Sequence, residues 1–373
     1  MKKNKNLIEL CVLCGLMIFS FVTCSFVLNR QGSSNELRVR NFYRLDQNSL
    51  DVVLVGSSLF YYGYSAPLAW KEGNITSYAL ATSGVPMGVI KSMVEEVQRT
   101  QEPKVILIDL NSVLYDEKME TREGMTRYWI DNMPSSENKD EIINELIPEE
   151  EQMNYRYPLL KYHENWKNIG SCLKTSYLDL RSQITKDHLV IYGMQSSTRK
   201  PDRKDIVSIQ GYKKKRELHA LSGERFQNLL EYLTQQELTE KVVFVAMPKF
   251  YDKKHLHERE LLNQAITIAR NKKFKVYDFD LETTKMQLDV NHDYFDRDHL
   301  NMYGQEKTTR YLCQCLEKDF HLQNTTHTEK QKEMWNREYE SYLKMYDWFK
   351  NKWEANVDET IGFKNIDAII DSE

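Results

Sequence analysis

The amino-acid sequence predicts an α/β protein, with a three-layer α/β/α domain built on a mainly parallel sheet. Short apolar runs without polar alternation lie at 52–55, 105–108 and 242–245, and such runs are typical of strands buried on both faces. An amphipathic helix is predicted at 87–98, between two of these runs. This alternation of strand and helix is the pattern of parallel βαβ units, whose crossovers are nearly always right-handed.

The individual elements follow from local signals along the chain. Ser65 is suited to cap a helix that has Pro67 in its first turn, and Asn301 is suited to cap the last core helix. The predicted core strands lie at 52–55, 75–80, 105–108, 241–248 and 274–279, and the predicted core helices at 65–73, 87–98, 258–270 and 303–318.

The N-terminal region predicts a membrane anchor. The stretch from Leu10 to Leu28 carries no charge and has the length of a membrane-spanning helix. Lys2, Lys3 and Lys5 precede it and favour a cytoplasmic N-terminus. A cleaved signal peptide is the competing interpretation, but no clear small-residue cleavage site follows the stretch. We favour the uncleaved anchor, and both interpretations export the rest of the chain.

Composition changes along the chain predict five parts. The segment before the first strand is polar, which is typical of a linker. The alternation of strands and helices stops in the middle of the chain. Near the end of the chain, aromatic residues recur at helical spacing. The parts are a cytoplasmic tail at 1–6, a transmembrane anchor at 7–28, a linker at 29–48, the main domain at 49–320 with a helical insertion at about 115–240, and a C-terminal helical extension at 321–373.

The composition of the chain also argues against several classes of function. The 373 residues have a net charge of -4, which argues against nucleic acid as a partner of the whole chain. The three cysteines beyond the anchor do not form a disulfide framework, and no Cys/His cluster has the spacing of a zinc site. The sequence contains no phosphate-binding loop and no cofactor motif, so neither a cofactor nor a metal is predicted.

The first apolar run ends in Gly56, Ser57 and Ser58. In open α/β sheets, ligands bind at the carboxyl ends of the strands, so a serine hydroxyl in this turn is well placed for function. The backbone N–H groups of such a turn are also suited to bind an anion. Taken alone, the three residues are more simply a turn that ends the strand.

Near the other end of the chain, Asp296 and His299 stand three residues apart. On a helical turn, residues at this spacing share a face, so the carboxylate can orient the imidazole and leave its second nitrogen as a base. A serine needs such a base because its hydroxyl is a weak nucleophile at its own pKa. The alternative is a solvated acidic loop. Asp298 is the alternative acid, and Ser57 is the alternative nucleophile.

Together these segments resemble the SGNH (GDSL-like) superfamily of serine hydrolases and acyltransferases, over most of residues 49–318. That family has a flavodoxin-like fold, a nucleophilic serine after its first strand and an Asp-x-x-His motif near its C-terminus. The resemblance therefore implies Ser58 as nucleophile, His299 as base and Asp296 as the acid that orients it. Ser57 stands where the family often has aspartate.

The resemblance also implies an oxyanion hole formed between the two motifs. The segment 78–84 is similar to the family's second block and aligns Gly84 with its oxyanion glycine, although Ala79 replaces the block's asparagine. Asn111 follows the strand of the third block and aligns with its oxyanion asparagine, without the glycine and aspartate of that block. The implied donors are the backbone N–H groups of Ser58 and Gly84 and the Asn111 amide.

Within the superfamily, the chain is most similar to membrane-anchored proteins of bacterial envelopes, such as those of teichoic acid D-alanylation and polysaccharide O-acetylation. The resemblance implies an extracytoplasmic acyltransferase or esterase that acts on O-acyl groups, such as acetyl, of an envelope polysaccharide or teichoic-acid-like polymer. Such relatives commonly work beside a multipass membrane O-acyltransferase, which is the expected protein partner. The alternative is a non-catalytic accessory or glycan-binding protein of that complex.

Overall fold

A computed structural model describes residues 2–29, 32–186, 188–199, 205–360 and 366–370, with the side chains of 2–5, 192, 367 and 368 left undescribed. The strands are β1 (Val52–Gly56), β2 (Ser77–Ala81), β3 (Val105–Asp109), β4 (Val242–Ala246) and β5 (Lys275–Asp278). The helices are α1 (Lys2–Leu28), α2 (Ser34–Phe42), α3 (Ser58–Gly63), α4 (Ala66–Gly73), α5 (Met87–Thr100), α6 (Glu117–Glu120), α7 (Glu123–Ile130), α8 (Glu137–Leu146), α9 (Gln152–Arg156), α10 (Leu159–Tyr162), α11 (Ile169–Thr185), α12 (Ala220–Gln235), α13 (Leu256–Asn271), α14 (Met302–Phe320), α15 (Glu329–Glu354) and α16 (Ile366–Ile370).

The five strands form one sheet in the order β2-β1-β3-β4-β5, and all four pairings are parallel. Every residue of β1 to β4 is buried, whereas β5 at the edge of the sheet is partly exposed. Helices flank the sheet, with α5 packed on α12, and α4 packed on α14 and α15. The predicted α/β class with a mainly parallel sheet is therefore confirmed.

The strand order places a crevice at the ends of β1 and β3. The chain leaves β1 for β2 on one side, and then returns to β3 on the other side of β1. Crossovers that depart in opposite directions open a ligand-binding crevice at the carboxyl ends of the two strands. Gly56 ends β1 and Asp109 ends β3, so the residues that follow them meet at this crevice.

Two predicted helix caps are confirmed. The Ser65 hydroxyl accepts a hydrogen bond from the Leu68 N–H at 3.4 Å at the start of α4. The Asn301 side-chain oxygen accepts from the N–H groups of Tyr303 and Gly304 at 3.0 and 3.3 Å at the start of α14. These bonds satisfy backbone donors that have no partner within the helix. The cap at Asn301 also fixes the point at which the chain leaves the loop that contains His299.

The predicted linker at 29–48 is wrong for Ser34–Phe42, which form α2 with mostly buried side chains. This helix packs along β2. The Tyr78 hydroxyl donates to the Arg38 carbonyl at 2.7 Å, and the Arg38 guanidinium donates to the Ala81 carbonyl at 3.3 Å. Polar side chains can be buried where hydrogen bonds replace their contacts with water. The low apolar content of this segment therefore did not indicate exposure.

The predicted helical insertion at 115–240 also has different bounds. The chain forms two compact units, which we call the helical unit (Met1–Ser33 with Ser135–Asp187) and the α/β unit (Ser34–Pro134 with His188–Glu373). Helix α12 lies within the predicted insertion but belongs to the α/β unit, because its Phe226 ring packs on Phe244 of β4 with centroids 5.6 Å apart.

The predicted C-terminal extension at 321–373 contains α15, and this helix packs on α4 within the α/β unit. Trp335, Tyr342 and Phe349 are on its buried face, and Trp335 lies 6.0 Å from Trp70 between ring centroids. Packing therefore accounts for the periodic aromatic residues that the sequence places after residue 320.

In the helical unit, α1 is long and apolar enough to span a membrane. Its apolar span is Asn6–Leu28, and the most apolar 18-residue window of that span has a mean hydropathy of 2.4 and contains no buried residue. Helices α10 and α11 contact α1, and the Asn165 amide between them donates to the Leu28 carbonyl at 2.8 Å. Only the last turn of α1 is partly covered.

Candidate active site

Ser58 is the first residue of α3 and lies at the carboxyl end of β1. Its side chain is half-buried. The preceding residue, Ser57, caps the helix and accepts a hydrogen bond from the Leu59 N–H at 3.3 Å. The strand–turn–helix geometry therefore places the Ser58 hydroxyl at the crevice, while the cap holds the turn in one conformation.

Ser57 points into the protein and away from the crevice. Its side chain is fully buried, and its hydroxyl donates a short hydrogen bond to the Asp109 carboxylate. The Ser57 N–H donates to the same carboxylate at 3.2 Å. Burial raises the pKa of Asp109 above its ordinary value, although the bonds from Ser57 act in the opposite direction. Ser57 thus has a structural partner and does not face His299.

His299 connects Ser58 to Asp296 through its two ring nitrogens. The Nε2 atom lies 2.7 Å from the Ser58 hydroxyl oxygen. The Nδ1 atom lies 2.9 Å from both carboxylate oxygens of Asp296. The structure thus brings together the three residues that the sequence nominates, and Asp296, not Asp298, contacts the ring.

The Asp-x-x-His motif lies in a loop and not on a helical turn. The Asp296 carboxylate accepts from the N–H groups of Asp298 and His299, each at 2.8 Å. A backbone bridge between Tyr294 and Leu300 closes the loop. An aspartate that binds the backbone ahead of it forms a turn without a helix, and this turn still brings the carboxylate to the imidazole.

The same turn keeps Asp296 ionised. Burial by itself raises the pKa of Asp296, but the hydrogen bond from His299 and the two backbone N–H groups outweigh it and lower that pKa below the ordinary value of 3.8. A carboxylate at this position favours the imidazole tautomer that carries its proton on Nδ1. The unprotonated Nε2 is then free to accept the Ser58 proton.

Two aromatic rings hold the imidazole of His299. The Phe295 ring stacks on it with centroids 5.2 Å apart and an interplanar angle of 14°. The Tyr62 ring of α3 packs on it at 4.9 Å between centroids, and Tyr62 and Phe295 also contact each other at 4.8 Å. These contacts restrict rotation of the ring and keep Nε2 directed at Ser58.

A cavity of about 470 Å³ opens beside the Ser58 hydroxyl. Gly84 and Asn111, the nominated oxyanion residues, both line it. Gly84 has a positive φ of 55°, and a Cβ atom there would lie 3.1 Å from the Met125 sulfur. Glycine suits this position because it adopts such a backbone conformation without steric cost.

Lys249 and Tyr115 fix the side-chain amide of Asn111. The buried Lys249 ammonium donates to the Asn111 amide oxygen at 2.5 Å, while the amide nitrogen donates to the Tyr115 hydroxyl at 3.1 Å. The Asn111 backbone N–H donates to Asp109 at 2.9 Å. Because the lysine occupies the amide oxygen, the NH₂ group of Asn111 is the end that remains for a ligand.

Charged residues form one wall of the cavity. Lys249 lies 3.5 Å from Asp298, and Arg297 lies 2.9 Å from Asp298 and 2.8 Å from Glu258. Burial opposes ionisation of Asp298, but Lys249 and Arg297 outweigh it and lower the pKa of that carboxyl. Two cations therefore face two carboxylates, which gives the wall little net charge.

The sequence did not nominate Lys249, Asp109 or the aromatic pair around His299. Lys249 stands three residues after β4, and Asp109 is the last residue of β3. A charged residue at the carboxyl end of a buried strand, or within a few residues after it, is a signal for the ligand edge of a parallel sheet. Applied to each strand in turn, that rule would have found both residues.

Comparison with protein-family models and with curated proteins found no match to this chain. The functional interpretation therefore depends on the geometry of the site. In the part of the chain that the structure describes, no group of three or more His, Cys, Asp or Glu side chains is arranged to hold a metal ion.

Proposed function

We propose that the protein is a serine acyltransferase or esterase of SGNH type, and that it acts on O-acyl groups of a cell-envelope polysaccharide. The observation that carries the proposal is the hydrogen-bonded series Ser58–His299–Asp296 at the carboxyl edge of a parallel sheet. An accessible serine whose hydroxyl contacts an imidazole, itself oriented by a carboxylate, is the constellation that activates serine for attack on carbonyl carbon.

In the proposed first step, the Ser58 oxygen attacks the carbonyl carbon of an O-acyl ester while His299 takes the serine proton on Nε2. The backbone N–H groups of Ser58 and Gly84 and the Asn111 amide bind the negative oxygen of the tetrahedral intermediate. Removing one such donor typically costs about 10²- to 10³-fold in rate. Collapse of the intermediate breaks the ester bond, and His299 returns its proton to the departing alcohol.

In the second step, an acceptor hydroxyl attacks the acyl-Ser58 carbonyl while His299 takes the acceptor's proton. The intermediate collapses, and His299 reprotonates Ser58. Water as acceptor gives hydrolysis, and a sugar hydroxyl gives transfer, so one site serves both reactions. Asp296 stays ionised throughout and stabilises the imidazolium that forms in each step.

The envelope as the site of action is supported by α1, which is long and apolar enough to span a membrane. Lys2, Lys3 and Lys5 precede its apolar span, and basic residues favour the cytoplasmic side. We propose a single-pass protein of the cell membrane with its C-terminal domain outside the cell. There it meets envelope glycan, and a multipass membrane O-acyltransferase is the proposed partner that supplies acyl groups.

The test in the native host measures the O-acetyl content of purified envelope polysaccharide. Cells that carry Ser58→Ala should match cells that lack the whole protein, because only the nucleophile is removed. Loss of acetyl in both would indicate a transferase, and gain of acetyl in both would indicate an esterase. If Ser58→Ala cells instead match wild type while the deletion differs, the protein acts as a non-catalytic accessory and the proposal is wrong.

Lys249 is expected to position the oxyanion donor. Lys249→Met should lower kcat/KM for a chromogenic acetyl ester by about 10- to 100-fold, because the Asn111 amide would lose its orientation. The decisive readout is a double-mutant cycle with Asn111→Ala. If Lys249 acts through Asn111, the double variant should be no slower than Asn111→Ala alone, since a positioning residue has nothing left to position. Additive losses would assign Lys249 a separate role.

A further inference from the structure

Helix α11 of the helical unit is amphipathic in the reverse sense. Its buried face consists of small or polar side chains, and most of its large apolar side chains are exposed. At 3.6 residues per turn, the exposed apolar residues fall within an arc of roughly 80°. We call them the α11 stripe, and they are Ile169, Leu173, Tyr177, Leu180 and Ile184.

The exposure of the α11 stripe is large. Tyr177 is 66% exposed and Ile184 is 74% exposed. Isolated apolar residues on a surface are common, but a continuous apolar row usually marks an interaction site. Since the polar face of the same helix is the buried one, the stripe is not a misplaced core face.

The position of α11 indicates what covers the stripe. Helices α10 and α11 and the short helix His163–Asn168 all contact α1. The span of α1 is exposed until its last turn, where Leu28 is buried and its carbonyl accepts from Asn165. Helix α11 therefore lies beside the point at which the apolar span of α1 ends, which is the level of a membrane surface.

The residues near α11 are of the types that are common at a membrane surface. Trp166, Tyr157 and Leu160 are exposed on the segments that precede α11 in the chain, and tryptophan and tyrosine are enriched where a membrane meets water. Lys174 and Arg181 are exposed on α11 itself and lie along one side of the stripe on its helical projection. Basic residues beside an apolar stripe suit contact with anionic lipid headgroups.

We propose that the α11 stripe inserts into the headgroup and upper acyl region of the bilayer leaflet at which α1 ends. This inference goes beyond the proposed reaction and depends only on the proposed membrane anchor. A lipid surface is the occupant that continuity with α1 favours, since any surface beside the end of a membrane-spanning helix already faces lipid. The protein is thus held to the membrane by a second contact that restrains rotation about α1.

The test uses the full-length protein in nanodiscs that hold one chain and contain phosphatidylglycerol and phosphatidylethanolamine. A phospholipid with a photoreactive diazirine high on its acyl chain is included, and labelled peptides are mapped after illumination. We expect strong label on α1 and on the α11 stripe, and the isolated exposed Leu343 of α15 is the internal control for background labelling of apolar surface.

Two variants complete the experiment. In Leu173→Ser/Tyr177→Ser/Leu180→Ser, label on α11 should fall to the level of α15 while label on α1 is retained. Gln183→Ser, at an exposed polar position of α11 outside the stripe, should keep the label on α11. Label on α1 without label on α11 in the wild-type protein would overturn the proposal, since a stripe covered by a second chain or by water would give that result. No label on α1 would overturn the anchor as well, while Ser58→Ala leaves all labelling unchanged.

Discussion

Ser58→Ala should abolish covalent labelling of the purified protein by a fluorophosphonate, and Ser57→Ala should retain it. The Ser58 oxygen contacts His299 at 2.7 Å, whereas Ser57 contacts the buried Asp109. Loss of the nucleophile should lower the rate on a chromogenic acetyl ester by on the order of 10⁴-fold or more, because a catalytic triad acts as a unit. Labelling efficiency and kcat/KM are measured on the same preparations.

Of the two variants, Ser57→Ala should be the less stable, although Ser58→Ala is the one that loses activity. Ser58→Ala removes one hydroxyl from a half-exposed position, so its thermal midpoint should stay close to that of the wild type. Ser57→Ala leaves the Asp109 carboxylate without its hydroxyl donor, which should cost about 1–3 kcal/mol in the free energy of unfolding. A protein labelled in Ser58→Ala but not in Ser57→Ala would move the nucleophile by one residue.

The second large effect is expected at the acid. Asp296→Asn should lower kcat/KM by about 10³- to 10⁴-fold, because an amide no longer favours the imidazole tautomer that accepts the serine proton and no longer stabilises the imidazolium. The backbone bonds to Asp298 and His299 can still form with the amide oxygen. The loop should therefore stay folded, and the loss should fall mainly on kcat.

Asp298→Asn is the matched control, two residues away in the same loop. Its carboxylate faces Lys249 and Arg297 instead of the imidazole, so the variant should retain activity within about tenfold of the wild type, as expected for removal of a partly exposed ion-pair partner. Steady-state kinetics on both variants at one neutral pH decide the point. Equal losses of kcat/KM in the two variants would show that the fold of the loop, and not the Asp296 carboxylate, determines the activity.

Much of the site could be predicted because its parts are local. Gly56–Ser58 follow an apolar run that ends abruptly, and the Asp-x-x-His spacing joins acid and base within four residues. Chain order then relates the two motifs, and parallel strands place their carboxyl ends on one edge. The strands follow for the same reason, since burial on both faces leaves a continuous apolar run.

The features that could not be predicted depend on distant partners. The ammonium of Lys249 meets Asn111 across 138 residues of sequence, and no local pattern reports such a contact. Helix α2 has a polar sequence, yet it is buried because Arg38 finds its hydrogen-bond acceptors on β2 and on Gly193. Sequence periodicity describes how apolar side chains face a core, but it does not describe polar side chains whose partners come from elsewhere in the fold.

The chain order of the site has a consequence for biosynthesis. Ser58 and His299 are separated by 241 positions, and all five strands precede the histidine. Because the chain is synthesised from its N-terminus, Ser58 is made long before His299. Until the loop before α14 has been made and docked, Ser58 lacks the contact with His299 that the proposed mechanism requires. On the proposed mechanism, the nascent protein is therefore inert while it is being made, and a fragment that ends before residue 299 stays inert even if its sheet is complete.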